Sequence, residues 1–327
     1  MLEEKDKNSA YLSVDLGGSS LRLALLNSQG EILKRQCISS QKVQEAHDLI
    51  EVLKEELRTL IAIAQEKKLS IKAISLGIPG LVNFKEGIVY RSPHFPHWKR
   101  IPISSELKKA FDIPIFIDND ANQAALAEAN LGAGKNWQDF ILLTLGTGIG
   151  GAIIHQKKLF HGSHGFAGEF GHMVINPQGE KGALNISGTL ESYCSMTGLR
   201  QQILSHHEKL KAEQKRSSLE SLQLENKDFP QELTKMALNA EPEALKIWQN
   251  FGKNLAYGLS NLSHSFGIFK FILGGGIAKA WDFFIPTCQI TLKDLVYDYT
   301  GSLIEIHPAV LGVDAGLIGG VFVIDNT

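Results

Sequence analysis

Clusters of glycine directly after short apolar runs are the feature of this sequence that most limits its fold. Three such clusters occur, GGSS at 17–20, GTGIGG at 146–151 and GGGIA at 274–278. Each preceding run has the length of a buried strand, and glycine lets the backbone turn sharply and approach a ligand with no Cβ in the way. The pattern predicts turns at strand ends whose backbone N–H groups are open to phosphate oxygens.

The first two clusters share one plan. Residues 11–16 and 140–145 are predicted strands before the turn, and residues 21–25 and 152–155 are predicted strands after it. When the first glycines of the two turns are aligned, both segments read as an apolar strand, Asp or Thr, Leu, Gly and then small residues. We infer an internal duplication.

Helix-like and strand-like segments alternate along the rest of the chain. The predicted helices are 44–65, 121–131, 242–266, one that follows GGGIA, and 314–323; the predicted strands are 71–76, IPIFIDND at 113–120, 269–273 and 303–306. Residues 201–228 are rich in Lys, Glu, Gln and Ser, and we expect a charged surface excursion between helices there. The alternation predicts an α/β architecture with helices flanking mixed sheets.

The composition excludes several classes of protein. Hydrophobic residues make up 43% and charged residues 21%, which is typical of a globular chain rather than a disordered one. Lys+Arg number 33 and Asp+Glu 35, so the net charge of −2 provides no general attraction to nucleic acid or to an anionic membrane. The 3 cysteines are too far apart for a disulfide framework or a metal clip. With no signal peptide and no run of about 18 apolar residues, we expect a cytoplasmic protein.

Two familiar phosphate-binding motifs do not apply. GAGKNW at 132–137 lacks the opening glycine of a Walker loop, since Ala129 stands there, and Asn136 replaces the Ser or Thr that would bind Mg²⁺. Gly146, Gly148 and Gly151 match G-x-G-x-x-G, but that fingerprint requires a helix next, whereas the following AIIHQ is typical of a strand. A dehydrogenase is therefore the less favoured alternative.

Polar residues suited to ligand binding follow the predicted strands or stand among glycines. They are Asp118, Asn119 and Asp120 in IDND, Glu169 and His172 in GEFGHM, and Glu191 in TLESY. An ordinary helix N-cap is an alternative explanation for the first group, but three polar residues in succession exceed what capping needs.

Eight ordered motifs resemble those of the ROK-family sugar kinases, which belong to the actin, hexokinase and heat-shock ATPase superfamily. They are DLGGSSLRLALL, GIPGLV, NDANQAALAE, TLGTGIGG, GEFGHM, GTLESYCS, GGGIA and LGVDAGLIGG, between residues 11 and 321. The resemblance implies two ribonuclease-H-like (actin-like ATPase) domains with an interdomain cleft. We expect residues 1–119 with 309–327 to form a small N-terminal domain, and residues 120–308 a larger C-terminal one.

The resemblance also implies a role for individual residues, with ATP and Mg²⁺ as cofactors. Asp120 matches the catalytic base. The positions implied to bind the sugar are Gly80, Asn119, Asp120, Glu169, His172 and Glu191. Asp15 would hold Mg²⁺ through water. The positions implied to bind ATP are Gly17, Gly18, Ser19 and Ser20 beside the transferred phosphoryl group, Gly146, Thr147 and Gly148 as a second phosphate loop, and Gly275 and Gly276 near the adenosine.

One departure from the family concerns its structural zinc. Many members carry C-x-C-G-x-x-G-C-x-E before the last sugar-binding glutamate, and here the aligned stretch is GALNISGTLE. The three cysteine positions are occupied by Gly182, Leu184 and Thr189. We expect no structural zinc, because His172 alone falls short of four ligands, and His172 would instead serve the sugar or packing. Burial of apolar side chains is expected to hold the Glu191 loop instead, through Leu184, Ile186 and Leu190.

A second departure is His94, where the family more often has Asn in a loop near the sugar, so the identity of the sugar stays open. The resemblance implies a kinase for the 6-hydroxyl of glucose, with N-acetylglucosamine, N-acetylmannosamine or fructose as alternatives. A catalytically inactive sugar or nucleotide sensor is the alternative of another class. Only ten residues precede the first predicted strand, too few for the DNA-binding domain of the family's repressors. We expect hexose and ATP as partners, no nucleic acid or membrane, and a homodimer.

Overall fold

Twelve strands form the framework of this computed structural model, which describes residues 8–43 and 45–326. In chain order they are β1 (Ser9–Leu16), β2 (Ser20–Asn27), β3 (Ile32–Ser39), β4 (Ser70–Ile78), β5 (Leu81–Asn83), β6 (Ile88–Arg91), β7 (Ile115–Asn119), β8 (Phe140–Leu145), β9 (Ile149–His155), β10 (Lys158–Leu159), β11 (Lys270–Gly274) and β12 (Glu305–Pro308). The strands before and after the first two glycine clusters are present as predicted, and a strand rather than a helix follows residues 146–148.

The two larger sheets have the same strand order. One runs β3-β2-β1-β4-β7 and the other β10-β9-β8-β11-β12, so in each the first strand is central, flanked by its hairpin partner and by the fourth strand. In the first sheet β1 is antiparallel to β2 and parallel to β4, and β4 is parallel to β7. In the second, β11 is parallel to both β8 and β12. The mixed sheets and their shared order agree with the ribonuclease-H-like class and with the common plan of the two turns.

Helices surround these strands. They are α1 (Ala46–Glu66), α2 (Ile103–Lys108), α3 (Asp120–Asn130), α4 (Leu190–Cys194), α5 (Met196–Ala212), α6 (Phe229–Leu238), α7 (Pro242–Phe266), α8 (Trp281–Leu295), α9 (Asp298–Gly301) and α10 (Ala315–Gly319). The long α7 has proline in its first turn and ends at Gly267 in the left-handed conformation, the usual start and stop signals. Within the described ranges, no helix is both long and apolar enough to cross a bilayer.

The first sheet and α1 share one apolar core. Leu53, Leu57 and Leu60 on one face of α1 are fully buried, and they belong to the same cluster as Leu12 and Leu23 of the sheet. Burying such side chains contributes about 1.5–3 kcal/mol each. The strands that carry the predicted site residues are therefore held by a well-packed core.

Three expectations about elements need correction. Residues 201–212 lie in α5 rather than in an excursion, because the N-cap serine Ser195 and the buried Leu199 and Ile203 stabilise a helix with few apolar positions. The predicted final helix 314–323 is shorter, since α10 ends at Gly319, where the backbone packs tightly against α3. The predicted strand 303–306 begins at Glu305. Residue 44, the predicted start of α1, lies outside the described residues.

Residue contacts divide the described chain into two units. The first contains the residues up to Asp139, Ala152–Gly168 and the residues from Ala309 on; the second contains Phe140–Gly151 and Glu169–Pro308. The domain boundaries expected from the sequence stay a prediction. Because each unit carries predicted site residues, the site is described unit by unit.

Candidate functional site

The first sheet brings eight predicted residues to one of its edges. Asp15 of β1 pairs with Gly77 of β4, and Gly77 pairs with Asp118 of β7, so the three form one row across parallel strands. With strands spaced about 4.8 Å apart, the ends of β1 and β7 are roughly 10 Å from one another. We call the residues at this edge the first-sheet cluster: Asp15, Gly17, Gly18, Ser19, Ser20, Gly80, Asn119 and Asp120.

The turn after β1 is fixed by hydrogen bonds to its carbonyl groups. The N–H of Gly17 donates to Ser20 O at 2.8 Å, the hydroxyl of Ser40 donates to Gly18 O at 2.8 Å, and the N–H of Ser40 donates to Ser19 O at 3.2 Å. Because these carbonyls are engaged, the turn is a preformed backbone surface. The imidazole of His94 lies directly against it, since a Cβ placed on Gly18 would be 2.9 Å from His94 Nδ1.

Asp15 is buried beside a cation. Its Oδ2 accepts a hydrogen bond from the guanidinium of Arg22, which also donates to the carbonyl of Val313. Burial raises the pKa of Asp15, and the charge and hydrogen bond of Arg22 oppose that rise. Of the described residues, none donates a hydrogen bond to Oδ1. One free carboxylate oxygen fits a Mg²⁺ ion held through water, since Mg²⁺ keeps several waters and takes few protein ligands.

Asn119 and Asp120 lie where β7 passes into α3. Asn119 is the N-cap, with Oδ1 accepting from the N–H of Ala121 at 2.8 Å, so the capping role weighed for this position is present. Its Nδ2 also donates to the carbonyl of Gly80 at 3.1 Å, which joins the ends of β4 and β7. Asp120 is the first residue of α3 and is half-buried.

Asp118 is buried, and both oxygens of its carboxylate have hydrogen-bond partners. Its Oδ2 lies 2.7 Å from Nε2 of His161, while Oδ1 accepts from the N–H of Asn119 and from Nδ2 of Asn122, both at 2.7 Å. Both members of the Asp118–His161 pair are buried, and the imidazole stacks on Phe84 at 3.9 Å. Asp118 thus supports Asn119 and Asp120. Sequence reasoning missed His161, which no pattern links to a residue 43 positions earlier.

The second unit collects another group around the turn after β8. We call it the second-sheet cluster: Gly146, Thr147, Gly148, Glu169, His172 and Glu191. Glu191 lies in the first turn of α4, and its Oε2 accepts from the N–H of Ile149 at 2.8 Å. A Cβ on Gly148 would lie 2.4 Å from this Oε2, so the carboxylate rests on the glycine turn. That N–H is therefore engaged, and one Glu191 oxygen remains for a ligand.

Glu169 and His172 face one another across a short 3₁₀ turn. His172 Nε2 lies 3.6 Å from Glu169 Oε2, and His172 Nδ1 is buried without a hydrogen bond to any described residue. Partial desolvation raises the pKa of Glu169; the charge of His172 lowers it, and the nearby Glu191 raises it further. The carboxylate of Glu169 and the neighbouring Nε2 of His172 suit a hydroxyl group, which can both donate and accept a hydrogen bond.

Hydrogen bonds, more than apolar burial, hold the Glu191 loop. The N–H of Leu190 donates to Met173 O at 2.8 Å, and Thr189 caps α4 through Oγ1, which lies 2.7 Å from Ser192 Oγ. Leu190 is fully buried as expected, but Leu184 is 67% exposed, so that part of the expectation was wrong. A bridge between Val174 and Thr189 closes the loop through its backbone, which needs no apolar side chain at 184.

Ile186 is also only partly buried. Over the described ranges, no group of three or more His, Cys, Asp or Glu side chains is placed to hold a metal ion. The absence of a structural zinc stays a prediction.

The third glycine cluster packs against the second turn. Gly275 has a φ of +88°, and a Cβ there would lie 2.2 Å from the carbonyl oxygen of Leu145, so only glycine fits. Gly276 lines a cavity of about 170 Å³ together with Gln231 and Trp248. The buried Nε1 of Trp248 has no hydrogen-bond partner among the described residues.

Comparison with known proteins identifies the family. The sequence profile of the ROK family matches residues 11–326, almost the whole chain. This protein is a member of the ROK family. It is 30% identical over 321 residues to the glucokinase of Halalkalibacterium halodurans, with 95% of this chain and 93% of the relative covered.

Other ROK relatives show how far the likeness extends. A crystal structure of a ROK family glucokinase from Streptomyces griseus, in complex with glucose and AMPPNP, is 26% identical with a TM-score of 0.76, covering 96% of this chain and 98% of that one. The xylose repressor of Bacillus subtilis is 27% identical over 318 residues, covering 96% of this chain and 77% of the repressor. The relatives thus include glucokinases and a xylose repressor, and similarity to glucokinases supports sugar phosphorylation.

Proposed function

We propose that this ROK protein is an ATP- and Mg²⁺-dependent kinase that phosphorylates the 6-hydroxyl of glucose. The observation that carries the proposal is the first-sheet cluster, where the half-buried Asp120 shares one sheet edge with a preformed glycine turn and with Asp15. A base, a backbone anion site and a carboxylate for Mg²⁺ are the parts that phosphoryl transfer requires.

In the proposed reaction, Asp120 accepts the proton of the sugar hydroxyl while its oxygen forms a bond to the terminal phosphorus of ATP. The bond from that phosphorus to the bridging oxygen breaks, and ADP leaves. The N–H groups of Gly18 and Ser19 bind phosphoryl oxygens, and Gly17, whose N–H donates to Ser20 O, shapes the turn. Asp15 would hold Mg²⁺, which neutralises phosphate charge when bound. Positioning and electrostatic stabilisation supply most of the acceleration in this class of reaction.

The second-sheet cluster is assigned to sugar recognition. Glu169 and Glu191 offer acceptor oxygens and His172 an imidazole, and Asn119 is proposed as a further sugar-binding residue. Because Glu191 Oε2 already accepts from Ile149, we assign the sugar contact to its Oε1. A sugar lacking one of these hydroxyls would leave a buried polar group unpaired, and that loss discriminates between sugars.

The adenosine is assigned to the cavity beside Gly276, which the buried Trp248 also lines. The turn at residues 146–148 is assigned to the remaining phosphates. N-acetylglucosamine, N-acetylmannosamine and fructose are the next candidate substrates. A homodimer and a cytoplasmic location, where ATP is available, complete the proposal.

A panel of sugars tests it. ADP release is measured with purified protein, ATP and Mg²⁺ in the presence of glucose, fructose, mannose, the two N-acetylhexosamines and xylose, each against a blank without sugar. We expect glucose to give the highest kcat/KM, with glucose 6-phosphate as the product identified by mass spectrometry and NMR. Release no faster than the blank with every sugar would overturn the kinase assignment.

A second candidate is a sensor that binds ligands without catalysis. The similarity to the xylose repressor of Bacillus subtilis favours it, because that relative is matched along 96% of this chain. The two candidates differ in outcome: a sensor binds sugar or nucleotide in calorimetry yet releases no ADP. The presence of Asp15, Asn119 and Asp120 together at one sheet edge favours the kinase.

A further inference from the structure

The histidine loop after β6 touches the glycine turn of the first-sheet cluster. A Cβ on Gly18 would lie 2.9 Å from Nδ1 of His94 and 3.1 Å from its Cε1 and Cγ, so the imidazole rests on the Cα of Gly18 with Nδ1 nearest. The His94 side chain is nevertheless exposed. A ligand bound at the turn can therefore reach the ring.

His94 is presented by a rigid turn. Ser92, Phe95 and Trp98 are buried, the N–H of Phe95 donates to Ser92 O at 3.3 Å, and the N–H of Trp98 donates to Phe95 O at 3.0 Å. The rings of Phe95 and Trp98 stack with centroids 4.4 Å apart. The buried neighbours fix the position of His94, although its own side chain is not part of the core.

The same segment contacts the residue that orients Asn119. Gly80 has a φ of +106°, and a Cβ there would lie 2.3 Å from Arg91 O and 2.9 Å from the Cα of Ser92. The carbonyl of Gly80 accepts from Nδ2 of Asn119. The loop that ends in His94 thus lies between the glycine turn and the start of α3, where phosphoryl donor and acceptor would meet.

We propose that His94 contacts the terminal phosphoryl group of the bound nucleotide, with a ring N–H donating a hydrogen bond to a phosphoryl oxygen. The inference builds on the proposed function and adds a side-chain donor to a turn that otherwise offers backbone N–H groups. Hydrogen bonds to charged oxygens are roughly twice as strong as neutral ones. An imidazole supplies such a bond through the ring nitrogen that carries the proton and faces the ligand.

Two substitutions separate this contact from simple packing. His94→Phe keeps a ring on Gly18 but removes the N–H, and His94→Asn keeps a donor but removes the ring. His97→Phe, at another exposed histidine of the same loop, is the matched control. Affinities for AMPPNP and for ADP, both with Mg²⁺, are measured by titration calorimetry, and melting temperatures confirm the fold.

We expect His94→Phe to weaken AMPPNP binding about ten-fold and to leave ADP binding unchanged. His94→Asn should lose less, and His97→Phe should match the unsubstituted protein. Equal AMPPNP affinity in His94→Phe, or an equal loss for ADP, would overturn this role while leaving the kinase assignment intact. If the unsubstituted protein bound no nucleotide, both the role and the proposed function would be overturned.

Discussion

The two glycine turns follow central strands of sheets with the same order, yet a different side chain lies on each. The imidazole of His94 rests on Gly18 in the first, and the carboxylate of Glu191 rests on Gly148 in the second. An imidazole beside the turn suits an anion, whereas the carboxylate of Glu191, which already accepts from the N–H of Ile149, suits a donor hydroxyl at that end of the second turn. Related backbones thus carry different side chains, and we assign phosphoryl transfer to the first turn and sugar recognition by Glu191 to the second, beside the residues assigned to the remaining phosphates.

The largest effect on catalysis is expected from substitution of Asp120 in the first-sheet cluster. Asp120→Asn removes the proposed base but keeps an amide able to hydrogen-bond the sugar, so kcat should fall about 10²- to 10⁴-fold while the KM for sugar changes little. Asp112→Asn, at an exposed carboxylate of the same unit, is the control. Steady-state kinetics with the best sugar of the panel measure both constants. Unchanged kcat in Asp120→Asn would assign the base elsewhere.

A pair of alanine substitutions tests the division of labour directly. Gly18→Ala displaces His94 and should raise the KM for ATP, whereas Gly148→Ala displaces Glu191 and should raise the KM for sugar, each about ten-fold. Neither glycine has a positive φ, so contact with the displaced side chain is the main cost. Each variant is the control for the other. If both altered the same substrate's KM, the two turns would not differ in the way we assign.

The pH dependence of sugar binding sharpens the assignment of the second turn. Desolvation raises the pKa of Glu169, so its carboxylate becomes protonated at a higher pH than that of an ordinary glutamate. As the pH falls through this raised pKa, the KM for sugar should rise, since the protonated form has lost an acceptor. Glu169→Gln should raise that KM severalfold at neutral pH, by about one lost hydrogen bond, and remove this dependence.

Measurement of KM between pH 5 and 8 distinguishes the outcomes. The control is Glu208→Gln on the exposed face of α5. The same pH dependence in Glu169→Gln as in the unsubstituted protein would remove Glu169 from sugar binding.

The smallest effect is expected in the loop that positions Glu191. Thr189→Val removes the α4 cap and leaves the hydroxyl of Ser192 without its partner, at a cost of about 1 kcal/mol in the free energy of unfolding. The KM for sugar should rise slightly and kcat should not change. Thr59→Val on the exposed face of α1 is the control in urea unfolding.

Zinc analysis should find no bound equivalent, and a melting temperature lowered by EDTA would point to a metal tether instead.

Many of the strands and helices can be predicted from the local pattern of residue types. Apolar runs followed by glycine located β1, β2, β8 and β9, because buried strands and tight turns have strong compositional signals. Proline and glycine likewise marked the ends of α7. Residues 201–212 were misjudged, because a helix with a narrow apolar face has a weak pattern and depends on its cap and tertiary packing.

By itself the sequence determined the α/β class, the three glycine turns and the family, since these depend on residue type and spacing. Tertiary structure alone decided which side chain meets which. It buries Asp118 against His161, and places His94 on Gly18 and Glu191 on Gly148. Such contacts join residues far apart in the chain, and their geometry depends on how strands and loops pack rather than on any local pattern.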